Sequence, residues 1–230
     1  MRVCLLALVS PLVFGSTAAQ SPAHNYESFF GFDDRIDLYS EAADKRFSKA
    51  ILKTIRDNTL LMDCGSSGKP STGFIVKTSL GTQIISAGHN LTMAEAGKRS
   101  CKLAGASLTK GKASPLFKDS GTKEDAGYDI ASWPNITKRG GLDICKSIST
   151  SSKFVLVQSW DGNGKLGISA DCKVKALNGR LITTSCKGHY KASGGPLLAV
   201  SENSVCAAGV FNAHSGKQFN YESYAARLTP

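Results

Sequence analysis

The chain has 230 residues, 41% of them hydrophobic and 20% charged, a globular composition with enough apolar material for a core in one or two domains. Its 28 Lys and Arg against 18 Asp and Glu give a formal net charge of +10. The lysines are scattered and few aromatics lie among them. With neither a basic patch nor a recognised module, no nucleic-acid partner is expected, only a basic surface.

The opening "MRVCLLALVSPLVFGSTAAQ" sets Arg2 before an apolar run at 4–14 and small residues at 16–19. That is the pattern of a secretory signal peptide over residues 1–19, with an apolar run too short to span a bilayer. The expected product is a secreted or periplasmic monomer, free of the membrane once the signal is removed. Residues 20–46 are mixed and polar and read as an N-terminal arm or propeptide. Phe47, Ala50, Ile51, Thr54 and Ile55 follow at helical spacing.

Short apolar runs rich in Val, Ile and Phe come next. They are "GFIV" (73–76), "QIISA" (83–87), "DIASW" (129–133), "KFVLVQSW" (153–160), "PLLAV" (196–200) and "VCAAGVF" (205–211). Turn signals such as "GSSGKPSTG", "DGNGKLG" and "NGR" separate them. Many short strands between Gly, Ser and Asn turns predict an all-β barrel or sandwich. "TKRGGLD" (137–143) is the most linker-like segment and divides two β halves.

Of seven cysteines, Cys4 leaves with the signal; Cys64, Cys101, Cys145, Cys172, Cys186 and Cys206 remain. No CxxC or CxxH spacing occurs, which argues against zinc and for disulfides in an oxidising compartment. Connectivity stays open, except that Cys172 and Cys186 flank a predicted hairpin around Asn178-Gly179 and are the favoured pair.

Histidine is scarce, with four in the chain. His89 ends the strand-like "TQIISAGH", Asp129 opens "DIASW", and Ser193 stands before Gly194-Gly195-Pro196. A serine hydroxyl becomes a nucleophile when a base takes its proton, and a carboxylate on the base's other nitrogen fixes the tautomer. His89, Asp129 and Ser193 supply those three types, each beside a strand. Asp125 is the alternative acid. The glycines after Ser193 also leave backbone N–H groups free to meet an oxyanion.

"STGFIV…IISAGH", "DIA" and "SGGPLL" resemble the three signature segments of chymotrypsin-fold serine peptidases, closest to the bacterial branch that includes glutamyl endopeptidases. The match runs from about Phe47 to the end, and Asp33-Asp34-Arg35 resembles the "DDR" that often precedes that branch's first strand. The resemblance implies two antiparallel six-stranded β-barrels with the active site in the cleft between them. The peptidase domain would cover 47–230, with barrel one at about 47–137 and barrel two at about 150–230. "FSKAIL" (47–52) would then be a strand, overriding its helical spacing. The resemblance implies a secreted serine endopeptidase acting on polypeptides without metal or organic cofactor. His89 would be the base, Asp129 the orienting acid, Ser193 the nucleophile, and the N–H groups of Lys191 and Ser193 the oxyanion hole. Cys64–Cys101 would stand in for a disulfide beside the base, and Cys145–Cys206 would complete the set.

Four positions depart from the family pattern. Gly88 and Asn90 flank His89 where alanine and cysteine are usual. Lys191 replaces a glycine of the oxyanion hole. Ala192 replaces the residue that in trypsin-type enzymes pairs with a newly cut N-terminus, which excludes that route of activation. By the same resemblance the specificity pocket lies between Lys187, His189 and Lys191 on one side and Phe211, Asn212, Ala213 and His214 on the other. It contains no carboxylate, so cleavage after Lys or Arg is not expected. An acidic residue before the scissile bond is the favoured reading, with small or medium apolar residues as the alternative. The rival reading of the whole chain is a catalytically inactive peptidase-fold homologue that binds a partner.

Overall fold

The computed structural model describes residues 35–64, 70–97, 100–120, 122–160, 164–186, 188, 193–212 and 223–230. The expected signal peptide, Asp33 and Asp34, and the site candidates Lys187, His189, Lys191, Ala192, Ala213 and His214 lie outside the described residues.

The chain enters through a two-residue strand, β1 (Ile36–Asp37), and a short helix, α1 (Glu41–Arg46). A ten-residue helix, α2 (Lys49–Asn58), follows, which corrects the strand expected over "FSKAIL". As a strand, this segment would alternate Phe47, Lys49 and Ile51 on one face, mixing charge with apolar groups. As a helix it gathers Ile51, Leu52, Ile55 and Asn58 on one buried face. Ser48 starts it, its hydroxyl accepting from the Ile51 N–H at 3.3 Å. The helical spacing was the better guide, and the first barrel strand begins only at Thr59.

Barrel one consists of β2 (Thr59–Asp63), β3 (Ser71–Thr78), β4 (Gly81–Ser86), β5 (Lys102–Leu103), β6 (Ala106–Ser107), β7 (Lys112–Ala113) and β8 (Ala131–Pro134). Helices α3 (Gly88–Ala96) and α4 (Lys123–Ala126) interrupt it. Its sheet order is β6-β5-β2-β3-β4-β8-β7. Barrel two consists of β9 (Lys153–Trp160), β10 (Lys165–Cys172), β11 (Val174–Asn178), β12 (Leu181–Thr184), β13 (Pro196–Val200), β14 (Val205–Asn212) and β15 (Ser223–Arg227). With β1 added at one edge its order is β1-β10-β9-β13-β14-β15-β12-β11. All strand pairs in both sheets are antiparallel.

The edge strands explain how these sheets curl into barrels. In barrel two, β10 and β11 lie at opposite ends of the strand order yet are separated along the chain by Lys173 alone. In barrel one, β6 and β7 are likewise the two ends, with only residues 108–111 between them. With β1 set aside, each sheet thus begins and ends on neighbouring stretches of chain, the connectivity that a barrel closed on an interrupted strand requires. With each interrupted strand taken as one and β1 set aside, each barrel has six strands.

Apolar packing divides into three clusters. One fills barrel one around Met62, Ile75, Ile84 and Trp133, and another fills barrel two around Phe154, Leu156, Leu197 and Phe211. The third joins the halves: Leu52 and Ile55 of α2 and Phe74 and Val76 of β3 pack with Val157, Leu198 and Val210 of barrel two. Residues Ser71 to Val76 of β3 are accordingly buried on both faces. The linker between barrels is pinned as it passes, Leu142 bridging to Val76 and Ile144 to Ala207. The Gly141 N–H donates to Asn58 Oδ1 at 2.9 Å, which ties the linker to the end of α2.

Three disulfides join Cys64 to Cys101, Cys145 to Cys206 and Cys172 to Cys186. The last spans the β11–β12 hairpin, where Asn178 pairs with Leu181 across a two-residue loop. Gly179 opens that loop at φ 57°, a conformation that costs glycine little. No helix among the described residues is long and apolar enough to cross a membrane.

Candidate active site

Strand β4 ends at Ser86, and His89 lies in the first turn of α3. The first N–H groups of a helix have no partner within it, and Ala87, at the cap position, offers no side-chain acceptor. Asp129 fills that role from the turn before β8. Its Oδ1 accepts from the His89 backbone N–H at 2.8 Å, and its Oδ2 meets His89 Nδ1 at 2.6 Å. One carboxylate thus fixes both the backbone and the ring of the histidine. Asp129 is 1% exposed and His89 19%, so the pair is sheltered with the imidazole reachable.

Gly88, the first departure from the family pattern, has a steric reason. A Cβ there would lie 2.9 Å from Phe117 Cδ1 and 3.0 Å from Asp129 Oδ1. Alanine would push against the carboxylate that holds the histidine.

Burial of the His89 ring acts to lower its pKa. The hydrogen bond and negative charge of Asp129, with a smaller contribution from Asp119, outweigh this and raise the pKa above the ordinary 6.5. Asp119 was not singled out in the sequence. It accepts from Thr92 Oγ1 at 3.1 Å, on the same helix as His89.

Asp125, the alternative acid, has other work. It accepts from the N–H groups of Lys118 at 2.7 Å and Ser120 at 2.6 Å and from the Ser120 hydroxyl at 3.1 Å. Burial acts to raise its pKa, but these donors prevail and hold it below the ordinary 3.8. Its oxygens are spent on folding the loop before Asp129.

Ser193 comes from barrel two and is placed by its backbone. Its carbonyl accepts from the Thr72 N–H and from Asn90 Nδ2, both at 3.3 Å and both from barrel one. Gly194 follows at φ 89°, donating to the Phe211 carbonyl at 2.8 Å. A Cβ on Gly194 would lie 2.1 Å from Ser86 Oγ and 2.2 Å from the Thr72 carbonyl, so only glycine fits. Among the described residues, no hydrogen bond joins Ser193 Oγ to His89. The site therefore holds a formed His89–Asp129 pair and a serine turn docked onto the same barrel through Thr72 and Asn90.

Of the specificity candidates, Phe211 and Asn212 are described, and both are fully buried. Phe211 belongs to the core of barrel two and packs where a Cβ on Gly188 would stand. Asn212 donates its amide to the Ala126 carbonyl at 2.6 Å.

Two asparagines thus stand out, Asn212, expected in the specificity pocket, and Asn90, noted only as a departure beside His89. Asn90 falls in an Asn-Leu-Thr sequon, yet it is 4% exposed and its amide nitrogen is engaged by Ser86 Oγ and the Ser193 carbonyl. The available signal was a polar residue directly after the histidine, where the family carries cysteine.

No family model matches the chain, and no curated protein matches it. Solved structures do. A Glu endopeptidase superposes with a TM-score of 0.60 at 14% identity, over 87% of this chain and 94% of that one. An M. tuberculosis protease in its active form gives 0.54 at 11% identity, over 96% and 90%. The protease Anisep from Arthrobacter nicotinovorans gives 0.53 at 14% identity, over 77% and 92%. The fold is therefore that of the chymotrypsin-fold serine proteases. The chain is a peptidase-fold protein whose structural neighbours include a Glu endopeptidase.

Proposed function

We propose that the chain is a serine endopeptidase of an oxidising compartment, secreted or periplasmic, that cleaves polypeptides through Ser193, His89 and Asp129. The observation that carries this reading is the two-point hold of Asp129 on His89, which leaves Nε2 as the free ring nitrogen. His89 Nε2 takes the Ser193 Oγ proton as Oγ attacks the scissile carbonyl carbon. The tetrahedral oxyanion is met by backbone N–H groups, with those of Ser193 and Lys191 assigned here. As the C–N bond breaks, the imidazolium returns the proton to the leaving amine, giving an acyl-enzyme. Water then attacks with His89 again as base, and the Ser193 hydroxyl is restored. Binding of substrate would close the Oγ to Nε2 contact, since such bonds are often long without it. The three disulfides support export to an oxidising compartment.

The test is hydrolysis of succinylated casein, read as new primary amines. Wild-type protein should release them, and Ser193→Ala should lose on the order of 10⁶-fold in turnover while keeping its circular dichroism spectrum. Equal rates for the two would remove Ser193 from the chemistry.

A further inference from the structure

Each half of the site is tied to the other barrel by one buried asparagine. Asn90 sits on α3 beside His89 and reaches across to the Ser193 carbonyl at 3.3 Å. Asn212 ends β14 and reaches back to the Ala126 carbonyl at 2.6 Å. Ala126 closes the turn that delivers Asp129, since its carbonyl also accepts from the Asp129 N–H at 3.4 Å. The first tie runs from the base's helix to the nucleophile, and the second from the nucleophile's barrel to the acid. Both join a segment that carries one of the site residues to the opposite barrel.

These side chains are poorly explained by stability. Asn212 is fully buried and its Oδ1 has no hydrogen-bond partner among the described residues, an arrangement that weakens a fold. An apolar residue of similar shape would avoid that loss. Asn90 occupies a core position beside Leu91 and Ala94, where apolar residues abound. What each amide adds is direction: a donor aimed at one carbonyl of the opposing catalytic segment.

We propose that Asn90 and Asn212 are positioning residues that hold the two barrels in register, so that Ser193 Oγ and His89 Nε2 meet when substrate binds. This rests on the serine-peptidase reading above. The asparagines touch no substrate atom and act through Ser193 and through the Asp129 turn. Their loss moves the reacting groups apart without altering what the cleft binds.

The experiment compares wild type with Asn90→Leu and Asn212→Leu, using p-nitrophenyl acetate as substrate and thermal unfolding as the stability control. Leucine keeps the branching at Cγ, with two methyl groups in place of the amide, and removes the donor. Misplacement by about 1 Å costs on the order of 10²-fold, so kcat should fall by about that factor with KM unchanged within about twofold. Asn90→Gln, which keeps the amide, should recover part of the loss, as a purely steric role would not. Melting temperatures should stay at or above that of wild type. Unchanged kcat in both leucine variants overturns the proposal and leaves the peptidase reading intact. A parallel rise in KM also overturns it, since the residues then shape binding. Failure of both variants to fold overturns it too, because register and not stability is the assigned role. Absence of hydrolysis by wild type itself overturns the peptidase reading instead.

Discussion

In the first barrel, two oxygens of one carboxylate fix both the backbone and the ring of His89. In the second, among the described residues, Ser193 is placed by a turn at Gly194 and a carbonyl docked on Thr72 and Asn90. The proposed acid–base half is thus held by one charged side chain acting at two points. The nucleophile half is held by the path of the chain. The first arrangement is open to substitution of one side chain without loss of fold. In the second, the turn at Gly194 can be disturbed only by changing the backbone, and the fold then suffers with it.

Asp129→Asn breaks the acid–base half. It removes the charge that stabilises the imidazolium and favours the wrong tautomer, so turnover should fall by about 10⁴-fold with the fold retained. Steady-state hydrolysis and a melting curve decide this. A loss below tenfold would mean that His89 does not act through Asp129. Gly194→Ala breaks the nucleophile half, and here stability should respond. The positive φ and the close approach to Ser86 and Thr72 together predict a loss of about 2–4 kcal/mol. Urea unfolding measures it. A variant as stable as wild type would show that the turn relaxes freely and that backbone path does not place Ser193.

The pH dependence sharpens the comparison with a smaller effect. His89 must be neutral to accept the serine proton, and its pKa lies above 6.5. The acid limb of kcat/KM should therefore sit above pH 6.5 in wild type and move down in Asp129→Asn, with Asp119 left as the nearby carboxylate. A limb below 6.5 in wild type would contradict the paired geometry. Stability carries the matching sign. A folded-state pKa above the unfolded one makes the pair's contribution complete below about pH 6.5, lost as pH rises through the folded value. Asp125 runs the other way: its lowered pKa adds stability above about pH 3.8 that is lost as pH falls through the folded value.

The two regions also differ in how far the sequence revealed them. His89, Asp129 and Ser193 were singled out because each is a reactive type beside a strand-forming run, and the structure pairs the first two. Gly194 was legible as a turn residue, although the clash that demands it involves Ser86 and Thr72, more than 100 residues away. That dependence on distant chain is what a local pattern cannot contain. Asn90 read only as a departure beside His89, because its partners, Ser86 Oγ and the Ser193 carbonyl, are set by the docking of two barrels. Asp125 looked like an acid in search of a base. Only the fold of residues 118–125 reveals that backbone N–H groups use its oxygens. At α2 the helical spacing of Ile51 and Ile55 and a capping Ser48 were present in the sequence, and the family resemblance masked them.

Whether the fold activates Ser193 is read by a fluorophosphonate probe without any assumption about substrate. The probe's phosphorus bonds only to an activated serine oxygen, with fluoride as the leaving group. Wild-type protein should carry a single adduct, mapped by peptide mass spectrometry to Ser193, with labelling absent in Ser193→Ala and strongly slowed in Asp129→Asn. Folded, mature wild-type protein that resists the probe would contradict it and leave the inactive, partner-binding homologue as the reading of this chain.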